Sequence, residues 1–124
     1  MLNQWPIGPT IPVSDMNRAK VFYKDKLGFE PIKEYPQGVS YKSGESEFML
    51  FPSPNAGKAV TTYAGWEVTG IEGIVKDLQS KGVKFEEYDT PEYKTVNGIA
   101  DFGPAKVAWF KDSEGNTLAI SQMS

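Results

Sequence analysis

Residues 107–122 read VAWFKDSEGNTLAISQ. An apolar run, Val107 to Phe110, meets a polar stretch from Lys111 to Asn116. A second apolar-rich run, Thr117 to Ser121, follows at once. Two such runs around a short polar segment predict a β-hairpin, with Glu114-Gly115-Asn116 supplying the turn chemistry. Gly115 takes positive φ without steric cost, and Asn116 tolerates that region better than most residues.

Working back from the hairpin, a similar unit precedes it. Thr61 to Val68 reads as a strand. Thr69-Gly70-Ile71-Glu72 has the spacing of a capping box, and Ile71, Ile74, Val75 and Leu78 form the apolar stripe of a helix that Gly82 closes. Val83 to Tyr88 reads as a further strand. The 18 residues from Asp89 to Lys106 are irregular, with room for a short strand near Ile99 to Phe102. Connections that long are uncommon unless they serve function.

The first half has the same order. Ile7 to Val13 reads as a strand, confined by Pro9 and Pro12 to an edge or to one-sided pairing. Ser14 and Asp15 are helix N-cap residues, and Met16, Ala19, Tyr23 and Leu27 recur at helical spacing up to Gly28. Strands follow at Phe29 to Tyr35, Val39 to Lys42 and Glu47 to Phe51, and PSPNAGK (52–58) is a linker. Val13-Ser14-Asp15-Met16 aligns with Val68-Thr69-Gly70-Ile71, so the chain is an internal repeat. The expectation is one domain over residues 1–124, α+β in class. Two βαβββ modules, about 5–52 and 61–122 with a linker at 53–60, form curved mixed sheets around a cleft with the helices outside.

Composition narrows the chemistry. The chain of 124 residues contains neither cysteine nor histidine. That removes disulfides, thiol nucleophiles, thiolate metal sites and the commonest general base and nitrogen ligand. The net charge of −3 argues against nucleic acid as a partner. No apolar run approaches the roughly 20 residues that span a bilayer. MLNQWPIGPT lacks the basic and apolar regions of a secretory leader. The expected address is the cytoplasm.

The segments IPVSDMNRAKVFYKDKLGFE and VAWFKDSEGNTLAISQ resemble the vicinal oxygen chelate superfamily, the glyoxalase, bleomycin-resistance and dioxygenase proteins, over nearly the whole chain. The second module, with YDTPEY and GIADFGPA, looks like the uncharacterised glyoxalase-like branch. The resemblance implies a cleft and, in many relatives, a homodimer. Metal-dependent members carry four His, Gln or Glu ligands, two per module. Here the corresponding positions fall on Gly8, on or beside Leu50, on Tyr63 and on Ala119. Three of those side chains offer no donor and the fourth offers one phenol. A divalent cation needs about three protein ligands. The expectation is therefore no metal and no other cofactor.

What remains is an aromatic cleft, since 13% of the residues are Phe, Trp or Tyr. The expected ligand-binding residues are Tyr63, Glu67, Trp109, Phe102, Tyr93, Leu50, Phe48, Tyr41 and Thr10. Trp66, out of phase with Tyr63, should face the helices. Glu67 and Asp101 would make the cleft mildly acidic, which suits a flat or cationic small molecule through stacking and cation–π attraction. That fits the drug-sequestering branch of the superfamily the chain resembles, and the expectation this implies is metal-independent binding without turnover. The alternative is a lyase, isomerase or dioxygenase that is metal-free or uses an unusual metal set, and a third option is a degenerate dimerising scaffold.

Overall fold

The computed structural model describes residues 1–124. A 3-10 turn at Leu2–Gln4 precedes β1 (Thr10–Val13), α1 (Met16–Asp25), β2 (Pro31–Tyr35), β3 (Gly38–Ser43) and β4 (Ser46–Pro52). The second half holds β5 (Thr62–Glu67), α2 (Ile71–Ser80), β6 (Thr95–Val96), β7 (Ile99–Asp101), β8 (Ala105–Lys111) and β9 (Thr117–Met123). Sheet one has the order β1-β4-β3-β2 and sheet two β5-β9-β8-β7-β6. In each, the first strand lies parallel to the last, β1 on β4 and β5 on β9, and the other pairs are antiparallel. The repeat is therefore real. Both helices are 10 residues long, and their starts, Met16 and Ile71, lie 71 − 16 = 55 positions apart.

Alternation sets what each sheet buries. In β4, Phe48 and Leu50 point into the core while Met49 and Phe51 are half-buried on the other face. Tyr23 of α1 packs its ring on Tyr41 and Phe48, at 6.2 and 6.0 Å between centroids. In sheet two, Ala108, Phe110, Leu118 and Ile120 meet Ile71, Val75 and Leu78 of α2. Trp66 stacks between Phe29 and Phe110, as its strand phase predicts. The helix-covered faces of both sheets thus share one core.

Two sequence expectations fail in module two. The capping box does not form. Gly70 caps α2 at φ 75° without any side-chain bond. The Ile71 N–H donates to Gln122 Oε1 of β9 at 2.8 Å, and Glu72 pairs with Lys106 Nζ at 2.6 Å. Both members of the box are displaced by tertiary partners. Nor is there a strand at 83–88. β7 already pairs with residues 106–108 of β8, and β9 occupies its other edge. Only an isolated bridge from Phe85 to Phe110, and the Glu86 N–H on the Trp109 carbonyl at 2.8 Å, find room.

The opening hairpin carries more than a turn. Asp112 accepts from the Tyr23 hydroxyl at 2.7 Å and from the Glu114 and Asn116 backbone N–H groups at 2.9 Å. Asn116 Nδ2 donates to the Pro12 carbonyl at 2.7 Å, and its Oδ1 accepts from Gly57 N–H at 2.9 Å. Glu114 accepts from Ser14 N–H, Ser14 Oγ, Asp15 N–H, Ser113 Oγ and the Arg18 guanidinium. The turn therefore holds the β1–α1 junction and the linker together. Gly57 passes so close that a Cβ there would lie 2.5 Å from the Glu114 carbonyl oxygen.

Candidate functional site

The face of sheet two turned away from the helices carries Val107, Trp109, Ala119, Ser121, Gly65 and Glu67, because residues paired across strands share a face. Trp109, Ala119 and Gly65 form one row across three strands. The last two lack a bulky side chain, so a flat shelf lies beside the indole. Tyr88 and Tyr93 close the other side, each with its ring 5.5 Å from that of Trp109. They lie 5.5 Å from each other, and Phe102 continues the group 5.8 Å from Tyr93. Trp109, Tyr88 and Tyr93 are half-buried and Phe102 is exposed. Aromatic surface is thus left open to a ligand.

The loop bearing Tyr88 and Tyr93 is tied in place. Thr95 is buried; its N–H donates to the Tyr88 carbonyl at 2.9 Å, and its Oγ1 accepts from Tyr88 N–H at 2.7 Å. The same hydroxyl donates to Glu87 Oε1 at 2.6 Å, which also accepts from Gly98 N–H. Thr90 caps the turn by bonding the Tyr93 backbone in both directions. Such bonds fix the rings before any ligand arrives, which lowers the ordering cost of binding. Burial, then the nearby charge of Glu86, raises the pKa of the Tyr88 phenol. It stays neutral at ordinary pH and offers a hydroxyl that can donate.

Of the nine expected residues, the structure brings together Trp109, Tyr93 and Phe102. Glu67 is on the same face but exposed, one row along and two strands away, roughly 10 Å by strand spacing. Tyr63 sits at a register shift between Thr62 and Ala64, half-buried against the core edge, with no ring contact to the group. Thr10 is exposed on sheet one, paired with Met49. Tyr41, Phe48 and Leu50 are corrected: all three are core residues under α1, with 0, 7 and 0% exposure. Asp101 is corrected too. Its register partner is Lys106, whose ammonium reaches back to Glu72 of α2, so it lies on the helix side. Tyr88 was missed, although its spacing from Tyr93 in YDTPEY gave a signal for a two-ring turn.

The family model for the Glyoxalase/Bleomycin resistance protein/Dioxygenase superfamily matches residues 7–120, and the chain belongs to that superfamily. An uncharacterised Bacillus subtilis protein, YetH, is 23% identical, with 89% of this chain and 91% of the relative covered. The fold is similar to that of a glyoxalase/bleomycin resistance protein/dioxygenase from Alicyclobacillus acidocaldarius, with TM-score 0.71, 17% identity and 94 and 89% of the two chains covered. It is also similar to TnmS3, an antibiotic binding protein from Streptomyces sp. CB03234, with TM-score 0.66, 20% identity and 97 and 98% covered.

The donor set decides how far the metal chemistry of some relatives fits. At the corresponding positions, Leu50 faces the core, and the residues that share the opposite face beside it are Met49 and Phe51. Gly8 and Ala119 bring no donor. No three Asp or Glu side chains lie close enough together to hold an ion. These residues do not fit a divalent cation, and no step is derived through one. No helix is long and apolar enough to cross a membrane.

Proposed function

We propose that this chain binds a flat aromatic small molecule, preferably cationic, without chemical turnover, on the Trp109 face of sheet two. The observation that carries this reading is the group of four open rings beside the Gly65–Ala119 shelf, held by a bonded loop. Stacking on such a surface contributes about 1–3 kcal/mol per ring. Glu67 is the carboxylate on the same face and would attract a cation at the end of the shelf. Of the four metal positions only Tyr63 offers a donor, too few for a divalent cation, which favours sequestration over metal-dependent turnover. The description of TnmS3 as an antibiotic binding protein supports the same class of role.

The face of sheet one that carries the half-buried Met49 and Phe51 is the natural cover. A second copy laying that face over Trp109 would complete a cleft, and each copy would contribute to both sites. Light scattering at micromolar concentration is expected to return the mass of a dimer.

The test is calorimetric titration of ethidium, a flat aromatic cation, into chelator-treated protein. Saturable binding is expected, and Trp109→Ala is expected to weaken it roughly tenfold. Binding that needs an added divalent ion, or that ignores Trp109→Ala, overturns the reading.

A further inference from the structure

Away from the Trp109 face, a cavity of about 500 Å³ lies between the C-terminal end of α1 and α2. That volume is within the range of small-molecule sites, roughly 300–1,000 Å³. It penetrates the core, because its walls include the fully buried Phe110 and the nearly buried Leu78. Phe29 and Trp66 complete an aromatic wall, with Trp66 at 20° to Phe29 and 13° to Phe110. Trp66 is stacked on both of the others, so the open edges of Phe29 and Trp66, with Leu27 and Ile74, form an apolar wall on which a flat molecule can lie.

The rim has a definite charge. Lys26, Asp77 and Lys81 line it. Asp77 is paired with Lys81 at 3.3 Å. Lys26 has no carboxylate partner, and its ammonium bonds only the Lys81 main-chain carbonyl. The rim therefore carries one uncompensated positive charge above an apolar wall. The Lys81 carbonyl has no net charge, so its bond leaves the ammonium charge unneutralised.

Gly73 gives a second, independent observation. It lies inside α2, where glycine is less favourable than alanine. It lines the cavity, and a Cβ built on it meets no atom within 4 Å. No close packing in the chain demands a glycine there. A side chain at that position would stand in open space beside the cavity.

From the apolar wall, the free cation and the uncrowded helical glycine, we infer that this inter-helix cavity is a second small-molecule site that takes an aromatic anion. The ring lies against the edges of Phe29 and Trp66 beside Leu78, and the carboxylate or sulfonate is held by Lys26. The site is on the helix side of both sheets, so it is independent of the Trp109 face and can be filled while that face is empty.

The probe is 8-anilinonaphthalene-1-sulfonate, an aromatic sulfonate whose emission rises in apolar surroundings. Saturable binding to the wild-type protein is expected. Gly73→Leu is expected to weaken it roughly tenfold, whereas Trp109→Ala leaves it unchanged. Lys26→Gln is expected to weaken it severalfold yet leave the neutral N-phenyl-1-naphthylamine unaffected. Gly73→Ala serves as the folding control and is expected to melt no lower than wild type. An NMR titration of the wild-type protein needs no variant at all: amide shifts clustered at residues 70–81 support the site. Shifts confined to residues 105–121, loss of binding in Trp109→Ala, or unchanged affinity in folded Gly73→Leu would overturn it.

Discussion

Arg18 Nε lies 2.8 Å from Glu114 Oε2, joining a guanidinium that is 54% exposed to a carboxylate that is fully shielded. The pair is lopsided, and so are the consequences of breaking it. Burial alone would raise the Glu114 pKa. The bonds from Arg18, the Asp15 backbone, Ser113 and Ser14 outweigh burial and hold it down at about 2.

Acid should therefore loosen this protein through Glu114. The folded carboxyl titrates at about 2 against an ordinary 4.5, so between those values the unfolded chain binds more protons. Stability rises with pH wherever that holds. The contribution is complete above pH 4.5 and is lost as pH falls towards 2. Urea midpoints measured across that window are expected to drop steeply, and Glu114→Gln is expected to flatten the dependence.

Substituting the two partners should give unequal losses. Glu114→Ala leaves the Ser14 and Asp15 amides and the Arg18 guanidinium without their acceptor, at a cost of about 3 kcal/mol. Arg18→Ala leaves the shielded carboxylate with its Ser14, Asp15 and Ser113 donors in place, so a smaller loss is expected. Chemical denaturation of the two variants at neutral pH checks the ratio.

Asn116→Ala removes three bonds at once: to Pro12, to Gly57 and to Asp112. The buried Pro12 carbonyl and the half-buried Gly57 N–H lose their partner, so a loss of roughly 2–3 kcal/mol is expected. Tyr23→Phe removes one of the four bonds to Asp112 and should cost about 1 kcal/mol. Thermal melts of both variants test the order.

Tyr41→Phe should do the reverse. The Tyr41 hydroxyl is buried with no hydrogen-bond partner. Burial, then the charges of Glu34 and Glu30, pushes its pKa up to about 12. Deleting an unpaired buried hydroxyl removes a desolvation penalty, so the variant should melt at or above the wild-type temperature. A clear drop would show that the hydroxyl has a partner in solution.

The hairpin and the repeat were legible because their signals are local: alternation, turn residues and two helices at matching spacing. The phase of β4 was not. SEFMLFP is apolar on both faces, Phe48 and Leu50 inward and Met49 and Phe51 outward. Period-2 reading needs contrast between faces, and without it the expected cleft residues fell on the wrong side. The Thr69–Glu72 box and the 83–88 strand failed for another reason. Each was decided by a competitor distant in sequence, Gln122 for the first and β7 for the second. Within the site, Trp109 stood out because it interrupts a strand with a large ring. Tyr88 did not, because its role depends on how Thr95 folds the loop back.

Glu114 Oε1 meets the Ser14 amide across a separation of 100 residues. During synthesis the earliest strand and helix thus wait for the latest hairpin to leave the ribosome before their junction can close. Contacts of such span slow folding. Nascent chains stalled before residue 112 should remain open to proteases at Ser14 and the linker, and release of the final turn should protect both together.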